Sequence, residues 1–489
     1  MSAPQAGSSG GAAAPEPAER EREQWTALLA YGLAVVVIVL LALNGRGTLA
    51  DPEALAISLR WVDEENPWSL GTETPFCWRP LFRWLVLLAY DLFTARDLGG
   101  LYAAFALSSA LSLLGAVGAL HALLLALGYA PRQALLGGLL FLSGFPVVFA
   151  HDIPVQVRED FLGWAWIALT LLALVRDRFW PMVALGVVAP WIRETCLLGV
   201  LPVWWVSTRP RQQKAMAYLL PGISLLAVRV VVQGLYPVRA EGSGYLWDLI
   251  VNSTAPARAW PGEALLYLFA TFGAVWLAAG LRLLQGPPWR HPLLTPRVVG
   301  LALLAVAISG WTMGMIRENR ISYVLFPFAI PLALDLVLAA RFRELLRSRL
   351  AWGAAALVLA LGCAGLLWLR DDPGRVDRVR PWVGELFHLG VAPVWRPTPE
   401  EGRAAAGVAV DLVWSLDKTS RELADPDEFF RRGILLASRL QGPHVLLHLA
   451  ATAFLAAGWW ATRRRPAPAT ATSPEPTRAP TPEGEAPRG

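Results

Sequence analysis

Four clusters of charged residues could carry chemistry, and each stands beside an apolar stretch of chain. They are Asp51 with Glu53, Arg158-Glu159-Asp160, Arg193-Glu194 and Arg317-Glu318-Asn319-Arg320. A carboxylate beside a water-filled cavity can act as a general base, and an arginine fork can hold a phosphate through two hydrogen bonds. Ionisable residues next to hydrocarbon are costly unless they are paired or solvated, so each cluster is a candidate functional site.

Each cluster also has a purely structural interpretation. Arg193 and Glu194 would pair to cap a tight turn, and Asp160 would cap the N-terminus of a helix. The 317–320 cluster would be a group of ion pairs at a helix end. The residues alone leave both kinds of interpretation open for each cluster.

The composition places these clusters in a membrane protein. Of the 489 residues, 55% are hydrophobic and 17% are charged, whereas soluble domains have about a quarter of their residues charged. Apolar segments that approach the length needed to cross a bilayer recur along the chain. They are Trp25–Leu43, Leu101–Leu127, Gln133–Ala150, Phe161–Val175, Pro181–Ile192, Cys196–Val206, Ala215–Leu235, Glu263–Leu281, Val298–Ile316, Ser322–Ala340, Leu350–Leu369 and Pro443–Ala461. We therefore expect an all-α polytopic membrane protein with about 12 transmembrane helices.

Two of these segments, Pro181–Ile192 and Cys196–Val206, are short and are separated by Arg193-Glu194-Thr195. One interpretation joins them into a single span that buries a charged pair at mid-depth. The other makes them two short helices that meet at a polar turn on the outer face. The distribution of basic residues favours the second interpretation.

Basic residues predict the topology, because short cytoplasmic loops collect arginine and lysine. Leu81–Phe93 is too short to cross, so we expect a surface helix carried by a long first outer loop, 44–80. The inner loops then hold the basic residues Arg132, Arg176, Arg178, Arg209, Arg211, Lys214, Arg282, Arg290, Arg297, Arg341, Arg343, Arg347, Arg349 and Arg463–Arg465. This pattern predicts a multi-pass protein of the cell inner membrane with both termini in the cytoplasm.

The predicted domain organisation follows from these segments. The tails, 1–24 and 462–489, lack core-forming residues and are expected to be disordered and cytoplasmic. The ranges between them are a transmembrane domain at 25–369, an outer-face loop region at 370–442 and a last transmembrane helix at 443–461. Within the loop region, Gly402–Leu416 and Asp427–Ser438 have helical apolar spacing.

This layout resembles the GT-C superfamily of integral-membrane glycosyltransferases. The features that carry the resemblance are the Asp51 loop after the first span, Arg79-Pro80-Leu81 with its short helix, the turn 152–160, the short pair around Arg193-Glu194, and Glu318-Asn319-Arg320 before a span with Pro327 and Pro331. The resemblance covers roughly residues 25–340 and lies in layout more than in strict motifs.

The resemblance implies transfer of a sugar from a polyprenyl-phosphate donor to a glycan or lipid acceptor at the outer face of the membrane. Asp51 would be the catalytic base, and Arg193, Arg317 or Arg320 would contact the donor phosphate. The remaining substrate-binding candidates are Glu53, Asp160, Glu194 and Glu318. Asp51-Pro52-Glu53 stands where some members carry Asp-x-Asp or Glu-x-Asp, so the exact base and a divalent cation are left open.

Two other functions remain open. The long loop 370–442 also suits a surface-polysaccharide polymerase or ligase. The second alternative is a transporter or a non-catalytic membrane protein, although the charged clusters lie at one face of the membrane rather than at its mid-depth. No nucleic-acid motif occurs, and Cys77, Cys196 and Cys363 lack the spacing of a metal site.

Overall fold

The structure is a computed structural model and describes residues 17–44, 80–93, 98–149, 159–235, 268–313, 322–370 and 426–463. These residues form α-helices and short 3₁₀ turns, with no strand in the described ranges. The helices are α1 (Pro17–Asn44), α2 (Pro80–Phe93), α3 (Leu98–Ala126), α4 (Pro131–Leu142), α5 (Phe145–Val148), α6 (Glu159–Val175), α7 (Phe179–Ile192), α8 (Val203–Val206), α9 (Arg211–Leu235), α10 (Ala274–Gln285), α11 (Pro296–Met313), α12 (Phe326–Leu338), α13 (Ala340–Leu346), α14 (Arg349–Arg370) and α15 (Pro426–Arg463). The all-α prediction is confirmed for this part of the chain.

Four helices of the described part are long and apolar enough to cross a membrane. The candidate spans are Leu107–Ala126, Arg211–Val231, Arg349–Trp368 and Gly442–Thr462. About 20 helical residues reach roughly 30 Å, the thickness of the hydrocarbon core. Outward-facing residues of these helices include Leu219, Leu226 and Leu361, which are more than half exposed. Such apolar outer faces are typical of helices that pack against lipid.

Most of the described loops that are rich in arginine lie together at one end of the bundle. Arg132 reaches Glu23 at 3.2 Å, and Arg209 reaches Asp177 at 2.9 Å. Arg290 donates a hydrogen bond to the Gly128 carbonyl at 3.0 Å. The loops 127–132, 176–178, 207–211 and 286–297 and the segment 339–349 are called the basic end below.

Helices α1 and α15 place their chain ends at this same end. Glu23, near the start of α1, contacts Arg132, and Gly458, near the end of α15, lies against Leu345 of α13. The first and last described helices therefore begin and end on one side of the bundle.

Helix α7 and the segment after it form a hairpin with its turn at Arg193. A 3₁₀ turn, Glu194–Gly199, follows Arg193 and leads into α8. A Cβ atom added to Gly186 would lie 2.9 Å from Val200, although the two residues would be about 21 Å apart in one straight helix. The chain therefore turns back, as the second sequence interpretation expects, but the returning segment is mostly 3₁₀ and turn rather than α-helix.

An aromatic core surrounds Tyr323, which is fully buried. Its ring stacks on Phe272 at 4.8 Å and meets Trp164 edge-on at 4.8 Å. Its hydroxyl donates a hydrogen bond to the carbonyl of Phe141. Because Phe141 also packs against Trp164, this cluster joins α4, α6, the helical turn 268–272 and the start of α12.

Helix α2 coincides in sequence with the predicted surface helix Leu81–Phe93. It buries Phe82, Val86 and Leu87 against the bundle, chiefly along α3 and α7, while Leu88 and Phe93 stay exposed. With 14 residues it reaches about 21 Å, so its length does not suffice for a crossing.

Several helix boundaries differ from the sequence expectations. Helix α1 begins at Pro17, inside the tail predicted as disordered, and α15 begins at Pro426, inside the predicted loop region. The segment expected as one helix over Glu263–Leu281 breaks at Gly273, whose φ of 52° is a conformation that favours glycine. Within the loop region, Asp427–Ser438 is helical as predicted, and Gly402–Leu416 lies outside the described residues.

Candidate functional site

A buried ion pair joins two of the predicted site residues. Asp160 lies in the first turn of α6, where a carboxylate interacts favourably with the helix dipole. Arg193 follows α7 with extended backbone, and its N–H donates to the Ala189 carbonyl at 3.0 Å. The Arg193 guanidinium contacts the Asp160 carboxylate, and each side chain is only 4% exposed. The sequence predicted both residues but not that they meet.

Burial makes this pair energetically important. Removing two charges from water is expensive, and only a close partner with further hydrogen bonds offsets the penalty. The 3% exposure of each residue means that neither charge is solvated by bulk water. The pair therefore fixes the position of the Arg193 turn relative to the start of α6.

Small residues allow the turn to approach α6 this closely. Gly163 faces Cys196, whose thiol donates a hydrogen bond to the Gly163 carbonyl at 3.6 Å. A Cβ atom on Gly163 would lie 3.1 Å from that sulfur, and one on Gly199 would lie 2.7 Å from the Cβ atom of Thr170. Larger side chains at either glycine would push the 3₁₀ turn away from α6 and separate Arg193 from Asp160.

Trp164 lies one helical turn after Asp160 on the same face of α6 and is a site residue that the sequence reasoning missed. Its side chain is 1% exposed, and no described residue accepts a hydrogen bond from its indole N–H. Its neighbour Trp166 does have a partner, because its indole donates to the Leu185 carbonyl at 2.7 Å. A buried donor without an acceptor costs about 1–3 kcal/mol. The sequence signal for Trp164 is its i, i+4 spacing from Asp160, which places both residues on one face of a helix.

A second buried arginine lies at the same end of the bundle. Arg83 is 6% exposed on the inner face of α2. The next residue, Trp84, packs against Trp191 with ring centroids 6.1 Å apart, and Trp191 stands two residues before Arg193. Helix α2 therefore brings a cation towards the region of the ion pair. Arg83 interrupts an otherwise apolar stretch, which is the sequence signal for it.

The other predicted site residues divide into two groups. Glu194 is half-buried and starts the 3₁₀ turn beside Arg193. Asp51, Glu53, Arg317, Glu318 and Arg320 lie outside the described residues. Of the eight candidates taken from the sequence, the described part of the chain therefore places Asp160, Arg193 and Glu194 at one location.

Two histidines of α15 have structural roles. His444 and His448 lie one helical turn apart, with ring centroids 4.6 Å apart. His444 bonds to the carbonyl of Ser143 at 2.8 Å, and His448 accepts from the N–H of Ala274 at 3.2 Å. Each ring thus satisfies a backbone group at a helix end. Among the described residues no group of three His, Cys, Asp or Glu side chains could hold a metal ion.

A separate charged cluster at the basic end surrounds Asp335 of α12. Its carboxylate accepts hydrogen bonds from Tyr129 at 2.8 Å and from Arg290 at 2.9 Å, and Arg282 lies 3.7 Å away. Burial and the adjacent Asp335 carboxylate raise the pKa of the Tyr129 hydroxyl well above its usual value. Tyr129 therefore stays protonated and donates, and the cluster joins the loops 127–132 and 286–297 to helices α10 and α12.

Comparisons of the chain with protein-family models, with curated proteins and with solved structures give no match.

Proposed function

We propose that the chain is a membrane glycosyltransferase of the GT-C type, which transfers a sugar from a polyprenyl-phosphate donor to a glycan or lipid acceptor. The observation that carries the proposal is the buried Asp160–Arg193 pair at the end of the bundle opposite the basic end. A guanidinium held in place by a carboxylate is suited to bind an anionic donor, because its fork matches the geometry of phosphate.

The proposed topology has twelve crossings, with the basic end in the cytoplasm. It is supported by the contacts that gather the arginine-rich loops at one end, since such loops stay cytoplasmic. Asp160 and Arg193 then face the outer side of the inner membrane, where a flipped lipid-linked sugar is accessible. Helix α2 would lie at this side of the protein.

The reaction assigns one role to each candidate. Asp51 takes the proton from the acceptor hydroxyl while its oxygen bonds to the anomeric carbon and the bond from that carbon to the lipid phosphate breaks. Arg193, Arg317 and Arg320 stabilise the charge on the leaving phosphate. Glu53, Asp160, Glu194 and Glu318 position the sugar and the arginines. No divalent cation is needed to balance this step, and none is assigned.

Trp164 supports the same location from a different direction. A buried indole N–H that lacks an acceptor among the described residues is ready to donate to a ligand oxygen. Asp160 contacts Arg193 and lies one helical turn before Trp164, so an arginine, a carboxylate and an indole donor could together bind a sugar phosphate.

Turnover of a synthetic polyprenyl-phosphate sugar by the full chain in liposomes tests the proposal. Asp51→Asn should lower turnover by about a hundredfold or more, because asparagine caps a helix as well as aspartate but cannot accept a proton at neutral pH. Asp177→Asn at the basic end is the matched control and should leave turnover unchanged. Near-normal turnover of Asp51→Asn would contradict the assignment of the base and move it to Asp160 or Glu53.

The arginines are tested through the donor KM. Arg317→Gln and Arg320→Gln should each raise it by about tenfold or more, because a charged hydrogen bond is lost. The lysine variants should recover only part of the affinity, since lysine lacks the bidentate fork. Unchanged donor affinity in the double glutamine variant would make this cluster structural, and absence of any turnover with polyprenyl donors would refute the enzyme itself.

A further inference from the structure

A surface groove of about 510 Å³ opens at the basic end between the loop after α10 and the end of α12. Its walls combine apolar and cationic side chains. The lining residues are Arg282, Gln285, Gly286, Pro287, Pro288, Trp289, Arg290, Asp335, Leu338 and Ala339. The candidate spans Arg211–Val231 and Arg349–Trp368 begin at this same end, so the groove lies at the level of the lipid headgroups.

The groove keeps a net positive charge. Two guanidinium groups, those of Arg282 and Arg290, face the single carboxylate of Asp335. Arg282 is held rigidly, because its two terminal nitrogens donate to the carbonyls of Gly286 and Pro288 at 2.7 and 2.6 Å. Its guanidinium also lies 4.8 Å from the Trp289 ring centroid. Arg282 is therefore a fixed positive charge at the base of the groove.

Arg290 offers a hydrogen-bond donor to a ligand. Its Nε atom donates to Asp335, and its Nη1 atom donates to the Gly128 carbonyl. Its guanidinium also lies over the Tyr129 ring, with Cζ 4.3 Å from the ring centroid. The side chain is 34% exposed and lines the groove, so the guanidinium is both oriented and partly open to a ligand.

We propose that this groove binds the phosphate of an anionic phospholipid from the surrounding bilayer. The phosphate would accept from Arg290 and lie in the field of Arg282, while the glycerol and upper acyl carbons would pack on Trp289 and Leu338. Charge complementarity supports a lipid of negative net charge over a zwitterionic one, and the apolar wall supports a lipid over free phosphate. The proposal requires a membrane-embedded chain but is independent of glycosyl transfer.

Lipid titration of the purified full chain in detergent tests the proposal. Phosphatidylglycerol and phosphatidylcholine with identical acyl chains are compared by native mass spectrometry and by thermal unfolding, with inorganic phosphate as a third probe. Wild type should bind phosphatidylglycerol with higher affinity and a larger rise in Tm. Equal effects of both lipids, or full stabilisation and competition by inorganic phosphate alone, would overturn the proposal.

Variants locate the effect in the groove. Arg290→Gln should weaken phosphatidylglycerol binding by about tenfold, because one charged hydrogen bond is lost. Arg343→Gln, at an exposed arginine of the same end, removes an equal charge and should leave the affinity unchanged. Because Arg290 also contacts Asp335, a second variant, Leu338→Trp, narrows the groove while it keeps both of these residues, and it should lower the affinity similarly. An equal loss of phosphatidylglycerol affinity in Arg343→Gln, or no loss of affinity in Leu338→Trp, would show that the lipid does not bind in this groove.

Discussion

The guanidinium of Arg193, at the turn after α7, contacts the carboxylate of Asp160 in the first turn of α6. Both residues are 3% exposed, so each depends on the other for the stabilisation that water would provide elsewhere. The contact determines where the α7 hairpin turns, because Arg193 stands between the helix and the 3₁₀ turn that follows it.

The ion pair predicts a strong asymmetry between single and double variants. Asp160→Leu or Arg193→Met alone should destabilise the protein by about 3–5 kcal/mol, because each leaves an uncompensated buried charge. The double variant Asp160→Leu/Arg193→Met should recover most of that loss. Thermal unfolding in detergent measures all three.

The exposed pair Arg209–Asp177 is the matched control for this experiment. Its side chains are 38% and 57% exposed, so Arg209→Gln should change stability by at most about 1 kcal/mol. Additive losses in the double variant at Asp160 and Arg193 would show that the two side chains do not act as a pair.

Trp164 and Trp166 should respond differently to loss of the indole N–H. Trp164→Phe removes a buried donor without a described acceptor, so relief of that penalty, about 1–3 kcal/mol, offsets the lost packing and stability stays near that of wild type. Trp166→Phe breaks a hydrogen bond to the Leu185 carbonyl and should destabilise by about 1 kcal/mol or more. Denaturation of both variants checks this order.

A functional readout separates a ligand-binding Trp164 from a purely structural one. With the proposed donor, Trp164→Phe should lower kcat/KM while Trp166→Phe should not. If Trp164→Phe proves the less stable of the two and keeps full turnover, the indole N–H has no role in binding.

Accessibility of introduced cysteines tests the proposed orientation. In a variant without Cys77, Cys196 and Cys363, Asp63→Cys should react with an impermeant thiol reagent applied from outside. Arg211→Cys, at the basic end, should react only after the membrane is opened. Reaction of Arg211→Cys from outside would reverse the topology.

His291 predicts a dependence of stability on pH. Burial lowers the pKa of the His291 ring, whose Nδ1 atom accepts a hydrogen bond from the Leu293 N–H at 3.1 Å. The unfolded ring then binds a proton at higher pH than the folded ring, so stability is complete above the unfolded pKa and falls as pH drops below about 6.5.

The variant His291→Asn isolates this contribution, since asparagine accepts the same bond and does not titrate. Between about pH 7.5 and pH 5.5, the Tm of wild type should fall more than the Tm of the variant. The other histidines titrate equally in both proteins, so their contribution cancels in the comparison. Identical pH profiles would mean that His291 titrates alike in the folded and unfolded states.

The sequence by itself determined the helical class and the grouping of the arginine-rich loops. Apolar run lengths report helices directly, because each run must bury its backbone polar groups through local hydrogen bonds. The positions of Arg132, Arg209 and Arg290 between runs were therefore enough to place their loops at one end. Helix ends were less accurate, as α1 and α15 show, because polar residues continue a helix whenever no breaker intervenes.

Only the tertiary structure decided which charges meet. Arg193 has Glu194 beside it in sequence, but its guanidinium reaches Asp160 because the close approach at Gly163 and Gly199 brings the turn onto α6. Asp335 likewise gathers Tyr129 and Arg290 from distant loops. Ion pairs between helices depend on three-dimensional packing at small residues, and this packing cannot be predicted from the spacing of residues along the chain.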